Sequence, residues 1–259
     1  MADALRERGF EPELISIEQI TPQIVTEKIQ QAEILGLGYP IHGSNAPPIM
    51  QNFIEALPSV ESPKAILIYV TQLAWSGNGA SFLRPRIKKK GYHVHWAIEF
   101  DMPNNLSIDF GRFLNEFFKR FSPDLQKVIQ KAALLAQRMA SGQAWIEGKI
   151  PFFNMGWIQR IPYRLTLPYI QKNTWRVDSD KCSHCGRCES ICPMGNITLI
   201  KGLPHFADRC TFCVRCFNFC PELAILAYHK PFDPKIFGPK PYQGPVPEFE
   251  PEQLIASGS

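Results

Sequence analysis

The sequence predicts an α/β fold followed by a small α+β domain, on three observations. Short apolar runs alternate with helical stretches through residues 1–102, which means βαβ units and a parallel sheet with helices on both faces. Residues 104–172 carry apolar stripes at helical spacing. All eight cysteines lie in the last third of the chain, in two copies of one spacing.

Residues 1–8 read as the tail of a helix capped by Gly9. Residues 13–17 and 32–37 read as strands, the second leading into the loop from Gly38 to Gly43. Residues 47–57 form a helix with Ile49, Met50, Phe53, Ile54 and Leu57 on one face. Residues 64–70 are a near-continuous apolar run, as a buried parallel strand requires. Residues 82–90 are helical with Pro85 in the first turn or at a kink, and residues 93–98 form the next strand, which carries His93 and His95. Phe110, Phe113, Leu114, Phe117, Phe118 and Phe121 then recur at helical spacing. Ser122 and Pro123 start a further helix with a stripe of Leu125, Val128, Ile129, Ala132, Leu135 and Met139, ended by Gly142. These stripes read as core. From Pro231 the chain holds seven prolines by Pro251, which suits either a surface-laid strap or a partly disordered tail.

Cys182, Cys185, Cys188 and Cys192, followed by Pro193, form the run Cys-x-x-Cys-x-x-Cys-x-x-x-Cys-Pro. Cys210, Cys213, Cys216 and Cys220, followed by Pro221, repeat it with a period of 28 residues. Asp180-Lys181-Cys182 matches Asp208-Arg209-Cys210, Arg187 matches Arg215, and Ile197 matches Ile225. Three thiolates spaced three residues apart can each meet one corner of a cubane from a single tight loop. The fourth corner must be reached from elsewhere, because the loop cannot close round the whole cluster. This is the bacterial spacing for a 4Fe–4S cluster, here doubled, and in two-cluster ferredoxins the fourth cysteine of each run serves the other cluster. That rule assigns Cys182, Cys185, Cys188 and Cys220 to one cluster, and Cys210, Cys213, Cys216 and Cys192 to the other. Ile191, Ile197, Leu199, Phe206, Phe212, Val214, Phe217, Phe219 and Leu226 supply an apolar lining that disfavours added negative charge, so potentials toward the low end of the iron–sulfur range are expected. His184, inside the first loop, is expected to hydrogen-bond near a sulfur rather than to ligate. Disulfides need an oxidising compartment, and no signal peptide precedes these cysteines. Structural zinc uses well-separated Cys-x-x-Cys pairs, not triplets.

With 259 residues, 45% of them apolar and 20% charged, the composition is that of an ordinary globular chain. No apolar run is long enough for a membrane span. Cysteine committed wholly to metal fits a reducing, anaerobic cytoplasm. The formal charge of +4 is offset by about −2 for each oxidised cluster with its four thiolates, so it gives no argument for nucleic acid. Arg84, Arg86, Lys88, Lys89 and Lys90, just before Gly91, read as cations at a helix C-terminus capped by glycine. The alternative is a docking patch for an acidic redox partner.

The segment Glu33-Ile34-Leu35-Gly36-Leu37-Gly38-Tyr39-Pro40 with Pro47, residues 66–71 with the Gly77-Asn78-Gly79 loop, and Lys90-Gly91-Tyr92 resemble a flavodoxin. Joined to the cysteine runs, the chain resembles the EFR-type ferredoxins, in which a flavodoxin-like domain is fused ahead of a two-cluster ferredoxin. That resemblance implies an N-terminally incomplete flavodoxin-like parallel sheet over residues 1–102 and a helical connector over 103–172. It further implies a small dicluster ferredoxin domain over 173–230 and a proline-rich tail over 231–259. The first strand and the flavin-phosphate loop of a flavodoxin are not found in this sequence, which in the 2-1-3-4-5 strand order predicts a gap between the next two strands; either an upstream segment restores them, the remaining strands re-pair, or the domain is scaffold only. Tyr39, His42 and Trp75 would then face a flavin ring, or else pack their own loops. The function expected is single-electron transfer through two 4Fe–4S clusters to a redox protein or flavoprotein partner. No catalytic or flavin-binding residue is assigned, and an electron carrier is favoured over an enzyme with its own substrate. The alternatives are a flavin-dependent oxidoreductase whose FMN is fed by the clusters, and a non-enzymatic docking subunit of a redox complex.

Overall fold

In the computed structural model, which describes residues 1–18, 20–73, 75–119, 123–148, 155–244 and 249–254, the alternation of the first hundred residues becomes an α/β sheet. The side chains of Leu114, Phe118 and Lys119 are outside that description. Helix α1 (Ala2–Arg6) is followed by Gly9 at φ 82°, the left-handed turn expected of its cap. Helix α2 (Pro22–Gln31) was not legible in the apolar pattern. It is set by Thr21, whose hydroxyl accepts from the Ile24 amide at 3.4 Å, and by proline in its first turn. Strand β1 (Ile34–Pro40), helix α3 (Pro48–Ala56), strand β2 (Lys64–Gln72), helix α4 (Arg84–Lys89) and strand β3 (Tyr92–Asp101) come next, near their expected places. Residues 13–17, expected as a strand, are irregular, and Glu13 pairs with Lys28 of α2 at 2.6 Å.

After β3 come helices α5 (Arg112–Lys119) and α6 (Leu125–Ala140), the two-residue strand β4 (Trp145–Ile146) and helix α7 (Trp157–Asn173). The sheet order is β1-β2-β3-β4, parallel throughout. β1 pairs directly with β2, from Ile34 opposite Ala65 to Pro40 opposite Thr71, so no gap separates them. Successive residues of β2 bury both faces. Ile66, Ile68 and Val70 join Val25, Ile29, Met50, Ile54 and Ile87 on one side. Leu67 joins Leu5, Trp96, Leu135 and Met139 on the other. Two lysines close helix ends: Lys64 Nζ donates to the Ile29 and Ala32 carbonyls after α2, and Lys90 Nζ donates to the Glu55 and Leu57 carbonyls at 2.7 Å after α3. Lys90 and Arg86, which lies 3.5 Å from Glu55, are therefore tied to α3. Helix α6 is capped by Asp124, which accepts from the Gln126 amide at 2.9 Å, so Pro123 precedes the helix instead of opening it. Ala132, Leu135 and Met139 of its stripe are buried, whereas Ile129 is 59% exposed.

By chain contacts the molecule divides into two units, residues 1–102 with 123–163, and residues 103–122 with 164–259. In the second, strand β5 (Trp175–Val177) precedes helix α8 (Arg187–Ser190), strands β6 (Ile197–Ile200) and β7 (Leu203–Phe206), helix α9 (Arg215–Asn218) and strand β8 (Ile225–Ala227). β5 pairs antiparallel with β8, and β6 with β7. The 28-residue repeat maps one pair onto the other. Of the apolar stripe expected on α5, the described Phe113 and Phe117 are not core, being 82% and 45% exposed. The helix turns Asn115 inward, where its side chain accepts from the Phe110 amide and donates to Asp109, and the preceding Ile108 and Phe110 make the apolar contacts instead. Phe121 and Ser122 lie outside the described residues. The described part of the tail is a strap with a short helix α10 (Pro234–Phe237). Its Phe232 is buried, its Tyr242 amide donates to Ser107, and its Phe249 ring lies 5.7 Å from Phe219. Among the described residues no helix is long and apolar enough to cross a membrane.

The sheet unit can be tested at two positions. Gly91 has φ 90°, and a Cβ there would lie 2.2 Å from the Val60 carbonyl oxygen. Gly91→Ala should cost at least ~2 kcal/mol through backbone strain and overpacking, read as a lowered urea midpoint of the sheet unit. Burial raises the Glu99 carboxyl above the usual range, although Ser76 and the Ala80 amide bond to it. The folded state therefore holds its proton above the unfolded value of about 4.3, and stability falls as pH rises through that window. Glu99→Gln, which stays neutral, should gain stability relative to wild type between pH 4 and 7. A pH-independent difference between the two proteins would refute this.

Candidate metal centre

The cysteine loops are shaped by backbone before any side chain acts. His184 and Phe212, one repeat apart, both have φ 57°. Gly186 at 75° is matched by Val214 at 57°, Gly195 at 52° by Leu223 at 51°, and Lys201 at 52° by His229 at 65°. Left-handed residues bend the chain so that successive N–H groups face inward, a concavity suited to anionic groups such as cluster sulfur. They are costly for side-chain-bearing residues, most of all for the β-branched Val214. Strain repeated at equivalent positions marks a shape that both loops need.

Within these loops the thiols lie close enough for their charges to act on one another. The charge on Cys188 is felt most from Cys220, then Cys185 and Cys182. Cys213 feels Cys210 and Cys192, and Cys216 feels Cys213, Cys210 and Cys192. Cys188 of the first run thus has Cys220 of the second within reach of its charge, and Cys213 and Cys216 of the second have Cys192 of the first. Cys216 also feels Cys188. Burial pushes the Cys188 thiol up to about 11 and Cys213 up to about 12, and Cys216 well above its ordinary value, with the neighbouring sulfurs adding to each. Cys188, Cys213 and Cys216, raised in this way, stay protonated until a cation compensates their charge, which is the chemistry of metal donors.

The sulfurs also collect donors. The Asn196 amide donates to Cys192 Sγ and, one repeat on, the Ala224 amide donates to Cys220 Sγ, both at 3.3 Å. The Phe212 amide donates to Cys210 Sγ at 3.3 Å, and the Trp175 indole donates to the same sulfur at 3.1 Å. Cys192, Cys210, Cys213 and Cys216 line a cavity with about 340 Å³ of empty space, part of it open to solvent, together with Thr211, Phe206 and Val214. The Thr211 hydroxyl is buried on this lining with no protein partner. A buried unpaired hydroxyl costs ~1–3 kcal/mol, so an acceptor inside the cavity suits it. Donor set, inward amides, cavity and orphaned hydroxyl all fit an iron–sulfur cluster. Among the described residues no group of three or more His, Cys, Asp or Glu closes on a single point as one metal ion would require.

The apolar lining is largely as expected, with Ile191, Ile197, Val214, Phe217 and Phe219 buried. His184 is not near a sulfur in its bonding: its Nδ1 lies 2.9 Å from the Gly202 carbonyl, and donates to it in the tautomer that fits. Trp175 was missed. The available signal was the repeat itself, because position 203 in the second copy is leucine.

At the other end of the chain, the edge where open α/β sheets take ligands is filled by protein. Tyr39 is buried, its hydroxyl donating to the Gly79 carbonyl at 3.4 Å, so it neither faces a flavin nor lies on the surface. Arg160 donates to the Ser44 carbonyl and to Asn78, and its guanidinium lies 3.9 Å from the centre of the Phe82 ring. Gln159 bonds Ser44 at 2.8 Å, and Tyr163 packs on Gly43. The described residues of this edge therefore do not make a flavin cradle.

Comparison with known proteins agrees with the cysteine geometry. The family of 4Fe–4S binding domains matches residues 175–198, and a second family of 4Fe–4S binding domains matches residues 207–228. No curated protein matches the chain. The two matched segments enclose all eight thiols, and with them the chain carries a ferredoxin-like region of an iron–sulfur electron-transfer protein.

Proposed function

We propose that the chain carries two 4Fe–4S clusters and passes single electrons to a redox protein or flavoprotein partner. One cluster is held by Cys182, Cys185, Cys188 and Cys220, the other by Cys210, Cys213, Cys216 and Cys192. The observation that supports this reading is that Cys220 acts on Cys188, and Cys192 on Cys213 and Cys216, each the fourth cysteine of the other run. Bound clusters supply a site that accepts and releases one electron without breaking a bond. The chain holds the thiolates and donates N–H bonds to their sulfurs. Cys185 is exposed whereas Cys210 is buried, so the first set is the one open to a partner. The parallel sheet ahead is read as a flavodoxin-like domain that has kept its layers and serves as scaffold, since the described residues of its ligand edge are packed with protein.

Anaerobically purified protein should contain about eight irons and eight sulfides per chain and give cluster signals in electron paramagnetic resonance after dithionite reduction. Fewer irons in fully loaded protein would sink the reading. The crossing has its own test. Cys220→Ala and Cys188→Ala should weaken the same cluster signal, while Cys192→Ala should weaken the one lost in Cys216→Ala. If Cys220→Ala instead shares its loss with Cys216→Ala, each run holds its own cluster.

A further inference from the structure

Trp175 breaks the symmetry of the two thiol sets. It stands on β5, is 2% exposed, and has its ring 5.9 Å from both Phe212 and Phe217. Its Nε1–H is aimed at Cys210 Sγ, 3.1 Å away. In the repeat its counterpart is Leu203, which has no side-chain donor. Among the described residues, the set with Cys210 therefore receives an indole N–H in addition to the Asn196 and Phe212 amides.

We propose that Trp175 is a positioning residue that sets the redox potential of one cluster, the one held by Cys210, Cys213, Cys216 and Cys192, above the value its buried, apolar surroundings alone would give. The inference rests on the electron-transfer reading above. Adding one electron raises the negative charge on the cluster and on its ligand sulfurs. A fixed N–H dipole aimed at such a sulfur stabilises the reduced form more than the oxidised one. An indole suits this position because it donates, never accepts, and carries no proton that titrates. The aromatic packing on both sides fixes its direction, so the bond is made before the electron arrives.

The test uses the whole cluster-loaded chain. Trp175→Phe keeps the ring and removes only the donor. In potentiometric titrations monitored by electron paramagnetic resonance, one of the two midpoint potentials should fall while the other stays, at unchanged iron content. Trp175→His, which restores a ring N–H, should recover part of the fall. Two unchanged midpoints, or two equal falls, overturn the proposal. Should Trp175→Phe fail to hold its clusters, wild-type protein labelled with nitrogen-15 in tryptophan decides the matter. Pulsed measurements on the reduced state should show a nitrogen-15 coupling to one cluster, and its absence overturns the proposal. Failure of wild-type protein to bind eight irons would instead remove the electron-transfer reading itself, a result distinguishable from either.

Discussion

Holding a metal group inside a short loop forces the backbone to fold back at almost every step. Here that demand appears as left-handed residues at His184, Gly186, Phe212 and Val214, three of which carry side chains that resist the conformation. Each such residue costs ~1–3 kcal/mol, and the secondary structure around them is two pairs of very short strands, marginal without help. The buried thiols add a further demand, since their charge cannot develop without a cation. The strain and the raised thiols point the same way: metal binding is part of the folding free energy of this unit. The strap from Phe232 to Tyr242 and the Leu106–Phe110 stretch then thicken a core too small to stand on its own strands.

Duplication gives the scaffold, and departures from duplication give each set its own surroundings. The two runs share φ angles, an amide bond to the fourth cysteine, and a four-residue helix that begins just past Gly186 in one copy and Val214 in the other. They differ in what surrounds the sulfur. Arg187 pairs with Glu252 of the tail at 2.7 Å, whereas Arg215 reaches the Ile191 carbonyl and acts on Cys213. Gly186 is replaced by buried Val214, and Leu203 stands where the first copy has Trp175. Two sites with equal ligands and unequal surroundings can hold an electron unequally, which gives transfer between them a direction.

How much of this was legible depended on how local the physics is. The thiol runs were, because spacing along the chain fixes what a loop can wrap. β2 was, because a strand buried on both faces must be apolar at nearly every position. α2 was not, since its apolar positions are few and its start depends on Thr21 and Pro22 rather than on periodicity. The stripe on α5 misled at Phe113 and Phe117, which are exposed, while Asn115 is buried with its side chain bonded to Asp109. The surroundings of Tyr39 and Arg160 were missed for a deeper reason. Arg160 meets the loop of Ser44 across 116 residues of chain, and no local pattern encodes such a meeting.

An open parallel sheet can satisfy part of its own ligand edge, and the described residues of the sheet unit do so. Loops at the C-terminal ends of parallel strands leave backbone and side-chain polar groups that a bound molecule ordinarily answers. Here Ser44 and Asn78 are answered by Arg160, and Ser76 and the Ala80 amide by Glu99. A buried guanidinium is stable only with its hydrogen bonds made, so it locks these loops as firmly as a ligand would. With β1 paired directly to β2, the sheet also has no gap between these strands to fill. Burial of Arg160 and the direct β1–β2 pairing thus have one consequence: a sheet that keeps its layered core while its binding edge is taken up by internal packing.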